Sequence, residues 1–354
     1  MYKRIVIRET NWIGDAIMTL PAVELVAMAC PDSEIWIAAR PWVAPLFHTI
    51  PFVKQVIPLA GKGGRGGLLP LYKDISQLRK HDFDLGLLFP NSFESALGML
   101  LSGVHERVGY RRDLRRLLLS SSFLVPADKE KRHHIFYYLN LVSSFFGIEM
   151  PDHPVLYLQA SPHAKASAME ICRGQRLLDG DGPLIGFNPG AAYGPAKCWP
   201  LERYVALGKL LLSAYPGARI VILGTGKEAG QFQQMAEAIG PAARSLAGMT
   251  SLQEVVAVVE MLDLLVTNDS GLMHIGAATA TPLVAIFGST NPVATGPWSK
   301  KAKIVTNPVE CAPCLKRTCS SNFECMLGIT PEMVFLSAEE LIAQTVTDSG
   351  RDSR

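Results

Sequence analysis

Arg4-Ile-Val-Ile-Arg-Glu-Thr-Asn-Trp-Ile-Gly-Asp-Ala-Ile-Met18 decides the fold. Its first five residues are a short β-branched run, the next turn is polar, and past Gly14 an apolar helical pattern runs to residue 29. A second short apolar run at 34–39 makes the order strand, helix, strand, which closes into a parallel pair with a crossover helix. Working outward, the spacing predicts further strands at 53–59 and 85–89 and helices near 43–50 and 71–80. The turn-rich Leu178-Asp-Gly-Asp-Gly-Pro183 interrupts this rhythm. It then restarts, with strands at 184–187, 219–223, 264–266 and 283–287 and helices near 201–214, 228–239, 252–261 and 272–279.

Alternation of this kind builds doubly wound parallel sheets, whose ligands bind at the carboxyl ends of the strands. Two Rossmann-like α/β domains are therefore expected, residues 1–178 and 179–330, facing each other with the active site in the cleft between them. A helical pattern and tail occupy 331–354.

The 354 residues exceed one ordinary hydrophobic core and suit two. With 48% hydrophobic and 19% charged residues the composition is that of a folded soluble protein, its apolar share suiting strands buried on both faces. A formal net charge of +2 supplies no global basic field, so nucleic acid is not an expected partner. The first residues read into a strand rather than a secretory leader, and no apolar stretch approaches about 18 residues, so a cytoplasmic protein that does not span a membrane is expected.

Three strand ends carry chemistry. In Thr267-Asn-Asp-Ser-Gly-Leu-Met-His274 a buried strand turns into an apolar helix, with Asp269 or Ser270 available as cap and His274 in the first turn. Free amides and the positive dipole end make this an anion site, unless it is only a capped structural helix with a packed histidine. Phe187-Asn-Pro-Gly-Ala-Ala-Tyr-Gly-Pro-Ala-Lys-Cys-Trp-Pro200 joins another strand to a helix. Gly190, Ala191 and Ala192 let backbone approach a diphosphate and Lys197 offers a point charge to it; the plain alternative is a Gly/Pro turn. In the opening stretch, Asp15 near the helix start is either a cap or a general base.

Other features read as structural. Gly224-Thr-Gly226 lacks the full spacing of a dinucleotide fingerprint. Gly61-Lys-Gly-Gly-Arg-Gly-Gly67 lacks the ending of a phosphate loop and reads as a mobile loop by composition. Asp82-Phe-Asp84 and Asp179-Gly-Asp181 match the carboxylate pair of metal-dependent sugar transferases but sit where solvated turns are expected. The basic stretch Arg107, Arg111, Arg112, Arg115, Arg116, Lys129, Lys131, Arg132, His133, His134 is broken by acidic residues and reads as a solvated face. Of seven cysteines, Cys311, Cys314, Cys319 and Cys325 crowd one loop. Their C-x₂-C start suits a structural zinc or an iron–sulfur cluster, while the irregular later spacing suits free thiols.

With these residues in view, the chain resembles the ADP-heptose:lipopolysaccharide heptosyltransferases, glycosyltransferase family 9, and most closely their heptosyltransferase II branch. The resemblance runs nearly end to end. It rests on Asn11-Trp-Ile-Gly-Asp-Ala-Ile-Met18, Phe89-Pro-Asn-Ser-Phe-Glu-Ser-Ala96, Pro189-Gly-Ala-Ala-Tyr-Gly-Pro-Ala-Lys197 with Trp199-Pro200, and the 267–274 motif. It implies a GT-B fold, an amino-terminal acceptor domain, a carboxy-terminal donor domain and a last helix crossing back to the first. It implies Asp15 as general base and Lys197 as the phosphate lysine. Gly190, Ala192, Tyr193, Glu228, Met249, Asp269, Ser270, Gly271 and His274 would bind the donor. Asn11, Trp12, Asn91, Ser92, Arg111 and Arg112 would bind the acceptor. The implied reaction is inverting, metal-independent transfer of heptose from ADP-L-glycero-β-D-manno-heptose to the inner-core heptose of a lipid A-linked acceptor, at the cytoplasmic face of the inner membrane, with no cofactor required. The rival readings are a sugar-nucleotide-binding protein without turnover and a transferase of another ADP-sugar.

Overall fold

The computed structural model describes residues 2–60 and 68–349, so the glycine-rich segment 61–67 lies outside the described residues. The chain divides into two compact units, Met1–Leu156 and Tyr157–Arg354.

The first unit runs β1 (Arg4–Arg8), α1 (Ile13–Ala29), β2 (Glu34–Ala39), β3 (Val53–Pro58), α2 (Leu68–Leu78), β4 (Leu85–Leu88), α3 (Phe93–Leu101), β5 (Glu106–Tyr110), β6 (Ser121–Phe123) and α4 (His134–Phe146). Its six strands are all parallel in the order β3-β2-β1-β4-β5-β6. Ile5, Val6 and Ile7 of β1 are fully buried because helices cover both faces of the sheet. The segment expected as a helix over 43–50 forms a single 3₁₀ turn, Ala44–Phe47, with Pro45 in its first turn.

The second unit runs α5 (Pro162–Gly174), β7 (Leu184–Asn188), α6 (Leu201–Ala214), β8 (Arg219–Ile222), α7 (Ala229–Ile239), β9 (Ala243–Ser245), α8 (Leu252–Glu260), β10 (Leu264–Asn268), α9 (Gly271–Ala278), β11 (Leu283–Phe287), α10 (Pro292–Thr295), β12 (Ala302–Thr306), α11 (Glu324–Leu327) and α12 (Pro331–Ser349). The strand order β12-β11-β10-β7-β8-β9 is that of the first sheet repeated, again all parallel. Each sheet therefore has one switch point, between β1 and β4 in the first and between β7 and β10 in the second, where a ligand crevice is expected.

Two boundaries differ from the sequence reading. The division falls after Leu156 and not after residue 178, because α5 packs against α8. Lys165 pairs with Glu260 at 3.0 Å, and the Ala160 amide donates to the same carboxylate at 2.8 Å. The last helix was expected to cross back to the first domain. Over its described residues Val334, Ala338 and Leu341, spaced along one stripe, enter the core of the second unit, where α12 packs on α6 and on β10, β11 and β12.

Candidate active site

Each switch point gathers two of the four quoted motifs. In the first unit, β1 ends in a buried arginine: Arg8 Nη1 donates to the Glu9 carbonyl and Nη2 to Asn11 Oδ1 at 2.9 Å. Burial and the nearby Arg40 lower the Arg8 guanidinium to about 10, so it stays charged at neutral pH. The Trp42 indole donates to the Asn11 carbonyl at 2.8 Å, fixing the loop from outside. Trp12, half exposed, occupies the α1 cap position without a side-chain capping bond, and Asp15 stands in the first turn rather than at the cap. The buried Tyr138 of α4 faces Asp15 with its hydroxyl. Burial holds that phenol well above its ordinary value, so it remains a donor.

Glu9 is fully buried; one oxygen accepts from Thr19 Oγ1 at 3.0 Å and from the Thr10 amide at 3.2 Å, and Oε1 has no partner among the described residues. Desolvation raises its carboxyl from 4.5 to about 8, against the opposing pull of Thr19, Thr10 and Arg8. The folded state then holds a proton the unfolded chain releases between those values, so stability is full below about pH 4.5 and falls as pH rises towards 8. Glu9→Gln is expected to flatten that decline. Melting curves at pH 5 and pH 9 check it: the variant should exceed the wild type at the alkaline pH by up to about 5 kcal/mol. Parallel pH profiles for both proteins would contradict the assignment.

At the end of β4, Asn91 Nδ2 donates to the Tyr137 hydroxyl at 2.6 Å, and Ser92 caps α3 by accepting from the Ser95 amide at 3.2 Å. The basic stretch is not one solvated face. Val108, Gly109 and Tyr110 of β5 are buried, and Arg115 is fully buried, its Nη1 reaching the Pro90 carbonyl at 2.5 Å and its Nε and Nη2 without partners among the described residues. The backbone makes room for it at Gly109, where a Cβ would come within 2.6 Å of Nη2. Arg111, Arg112 and Arg116 are exposed.

In the second unit the 188–197 loop and the start of α9 meet at β7 and β10. Lys197 Nζ lies 2.6 Å from Asp269 Oδ2, which also accepts from Thr290 Oγ1 at 2.6 Å. Ser270 is the α9 cap residue, yet its hydroxyl donates to Asn188 Oδ1 at 2.7 Å and does not bond the helix, so no cap side chain closes the first turn. Positive amide ends and the Lys197 ammonium thus share one mouth, with His274 buried within the same turn. Asn268 ties the two motifs: its Oδ1 accepts from the Trp199 amide at 3.1 Å and from the Tyr204 hydroxyl at 3.2 Å.

At Gly190 a Cβ would meet Glu228 Oε1 at 2.2 Å, so any side chain there would displace the Glu228 carboxylate. Glu228 Oε2 accepts from the Thr225 amide and hydroxyl, both at 2.8 Å, and Oε1 stands against Gly190. Ala192 is exposed, and Met249 is half exposed beside Gly248, whose φ of +77° needs glycine. The Tyr193 hydroxyl donates to the Leu315 carbonyl at 2.8 Å, while Lys197 lies 4.9 Å from its ring centroid. Both D-x-D pairs are structural, Asp84 accepting from the Lys3 and Arg4 amides and Asp179 pairing with Arg176.

Leu315 lies in the four-cysteine loop, which braces the 193–197 segment. The Arg317 carbonyl accepts from the Ala196 amide at 3.1 Å and would clash with any Cβ on Gly194. Cys311, Cys314, Cys319 and Cys325 are free thiols lining one cavity of about 100 Å³. Hydrogen bonds from Ser321 hold the Cys319 thiol below its usual value, whereas burial and the other three thiols raise Cys325. Among the described residues no three His, Cys, Asp or Glu side chains form a group that could hold a metal ion. The four thiols converge on that cavity.

The sequence pattern missed Arg8, Glu9, Tyr138 and Thr290. Arg8 and Glu9 lie inside the quoted opening stretch, where a charged pair ending a buried strand was the available signal; Tyr138 and Thr290 lie in segments with none.

The family model for glycosyltransferase family 9 (heptosyltransferase) matches residues 72–323. Lipooligosaccharide heptosyltransferase 2 of Haemophilus influenzae is 31% identical, covering 94% of this chain and 98% of that protein. Lipopolysaccharide heptosyltransferase 2 of Escherichia coli is 30% identical over 96% of this chain and 99% of its own. The solved structure of E. coli ADP-heptose lipopolysaccharide heptosyltransferase II is similar with a TM-score of 0.81, at 29% identity, covering 96% of this chain and 99% of the other.

Proposed function

The chain belongs to glycosyltransferase family 9, the heptosyltransferases, and on that premise we propose that it moves heptose from ADP-L-glycero-β-D-manno-heptose to the inner-core heptose of a lipid A-linked acceptor. The observation that carries the donor side is the Lys197–Asp269 pair at the uncapped start of α9. There a diphosphate would meet an ammonium, orphan amides and a dipole end together. Glu228, which stands against Gly190, and Met249 would hold the ribose and nucleoside; Ser270, Gly271 and His274 would line the phosphates.

In the first unit Asp15 would take the proton from the acceptor hydroxyl, held in place by the Tyr138 hydroxyl. The acceptor oxygen forms its bond to the anomeric carbon as the bond to the β-phosphate oxygen breaks, and the electron pair leaves with ADP. One displacement inverts the anomeric centre. Lys197 and α9 supply the positive charge for the departing diphosphate, so turnover should persist in a chelator. Asn11, Trp12, Asn91 and Ser92 would border the acceptor, with Arg111 and Arg112 exposed to its anionic groups.

The lipid-held acceptor would place the protein at the cytoplasmic face of the inner membrane; among the described residues no helix is long and apolar enough to cross one. Neutralising Arg111, Arg112 and Arg116 together is expected to raise the acceptor KM, more at low salt than at high salt, and to leave ADP-heptose affinity unchanged. Adding Arg115→Met should instead lower stability, by roughly 1–3 kcal/mol, because its bond to the Pro90 carbonyl is buried. Kinetics at two ionic strengths with parallel melting curves separate these effects.

Incubation with ADP-heptose and acceptors of defined truncation, followed by mass spectrometry, tests the reading. One added heptose on the acceptor that ends in a single inner-core heptose is expected. Transfer only from another ADP-sugar, or nucleotide binding without product, would sink it.

A further inference from the structure

Beside the β1–α1 loop the first unit holds a cavity of about 210 Å³ that the roles above leave largely unused. Its polar wall is Arg8, Asn11, Arg40, Asp74, Ser92 and Glu94, and its apolar side includes Leu59, Leu78 and Met99. Arg8, Arg40 and Asp74 are each more than nine-tenths buried. Arg40 is clamped between two carboxylates, 3.2 Å from Asp74 and 3.3 Å from Glu94. Its Nε is buried with no partner among the described residues.

Charge decides what such a cavity takes. Two guanidinium groups face two carboxylates, so the wall is formally neutral and an entering phosphate or carboxylate would meet Asp74 and Glu94. A sugar ring suits it better: hydroxyls donate to the carboxylates and accept from the Asn11 amide and the Ser92 hydroxyl, and C–H faces lie on the apolar side. The volume admits a single ring rather than a chain. Asn11 and Ser92 link the cavity to the strand ends that carry Asp15 and Asn91.

We infer that this cavity binds one uncharged sugar ring of the acceptor, with Asp74, Glu94, Asn11 and Ser92 reading its hydroxyls. The inference rests on the acceptor reading of the first unit but is tested by binding alone. Saturation-transfer NMR on the full chain, without donor, would titrate free L-glycero-D-manno-heptose and then inorganic phosphate. Wild type should bind the sugar, and phosphate should not displace it. Glu94→Gln, which keeps the buried Arg40–Asp74 pair, should weaken sugar binding by about 5- to 10-fold and leave ADP affinity unchanged. Glu94→Ala should weaken it at least as much. Displacement by phosphate, no sugar signal in the wild type, or unaltered binding by both variants would overturn the inference. Sugar binding without heptose transfer would fault the proposed function instead and leave this site standing.

Discussion

Asp15→Asn is expected to lower turnover by roughly 10²- to 10⁴-fold, the range for loss of a general base, with donor affinity and fold retained. The fold should survive because Asp15 sits in the first turn of α1, not at its cap, and an amide oxygen can still accept from Tyr138. Donor affinity should survive because the residues proposed to hold ADP-heptose all belong to the second unit. Steady-state kinetics with a nucleotide titration check both. Near-normal turnover with an unchanged pH profile would leave Asp15 as a first-turn acid complementing the helix dipole and nothing more.

Lys197→Met is expected to lower kcat by roughly 10²- to 10³-fold, the scale seen when one group that stabilises developing charge is removed. It should also cost stability. Asp269 is nearly inaccessible, and without the ammonium its carboxylate keeps only the Thr290 hydroxyl among the described residues. Breaking a buried pair from one side costs about 3–5 kcal/mol. Asp269→Asn in the Lys197→Met background removes the stranded charge, so the double variant should recover melting temperature without recovering turnover. Recovery of both would make Lys197 a structural partner of Asp269 and remove it from the chemistry.

The central strands were legible because helices bury both their faces, which forces continuous apolar runs; β1, β2 and β11 begin and end where the pattern put them. β6, β9 and β12 lie at the sheet edges, where less of each strand is buried, and Ser121-Ser-Phe or Ala243-Arg-Ser carries no such run. β5 was hidden by Glu106 and Arg107, which begin a strand buried only from Val108 onward.

The four motifs were legible as strand-end loops, and strand order explains why they matter: each pair flanks a switch point. What the pattern cannot express is partnership across distance. Nothing near residue 115 announces that Arg115 turns inward to Pro90, nor that Tyr138, inside an apolar helical run, meets Asp15. Likewise Leu315 and Arg317, in a loop marked only by its cysteines, fix Tyr193 and Gly194.

The anomeric configuration of the product tests the central claim most directly. NMR of the glycosidic linkage formed from β-configured ADP-heptose should show an α-linked heptose with ADP released in equal amount, and Asp15→Asn should form the same linkage slowly. A β linkage, or release of ADP with free heptose and no new glycosidic bond, would contradict single displacement by an acceptor hydroxyl activated at Asp15.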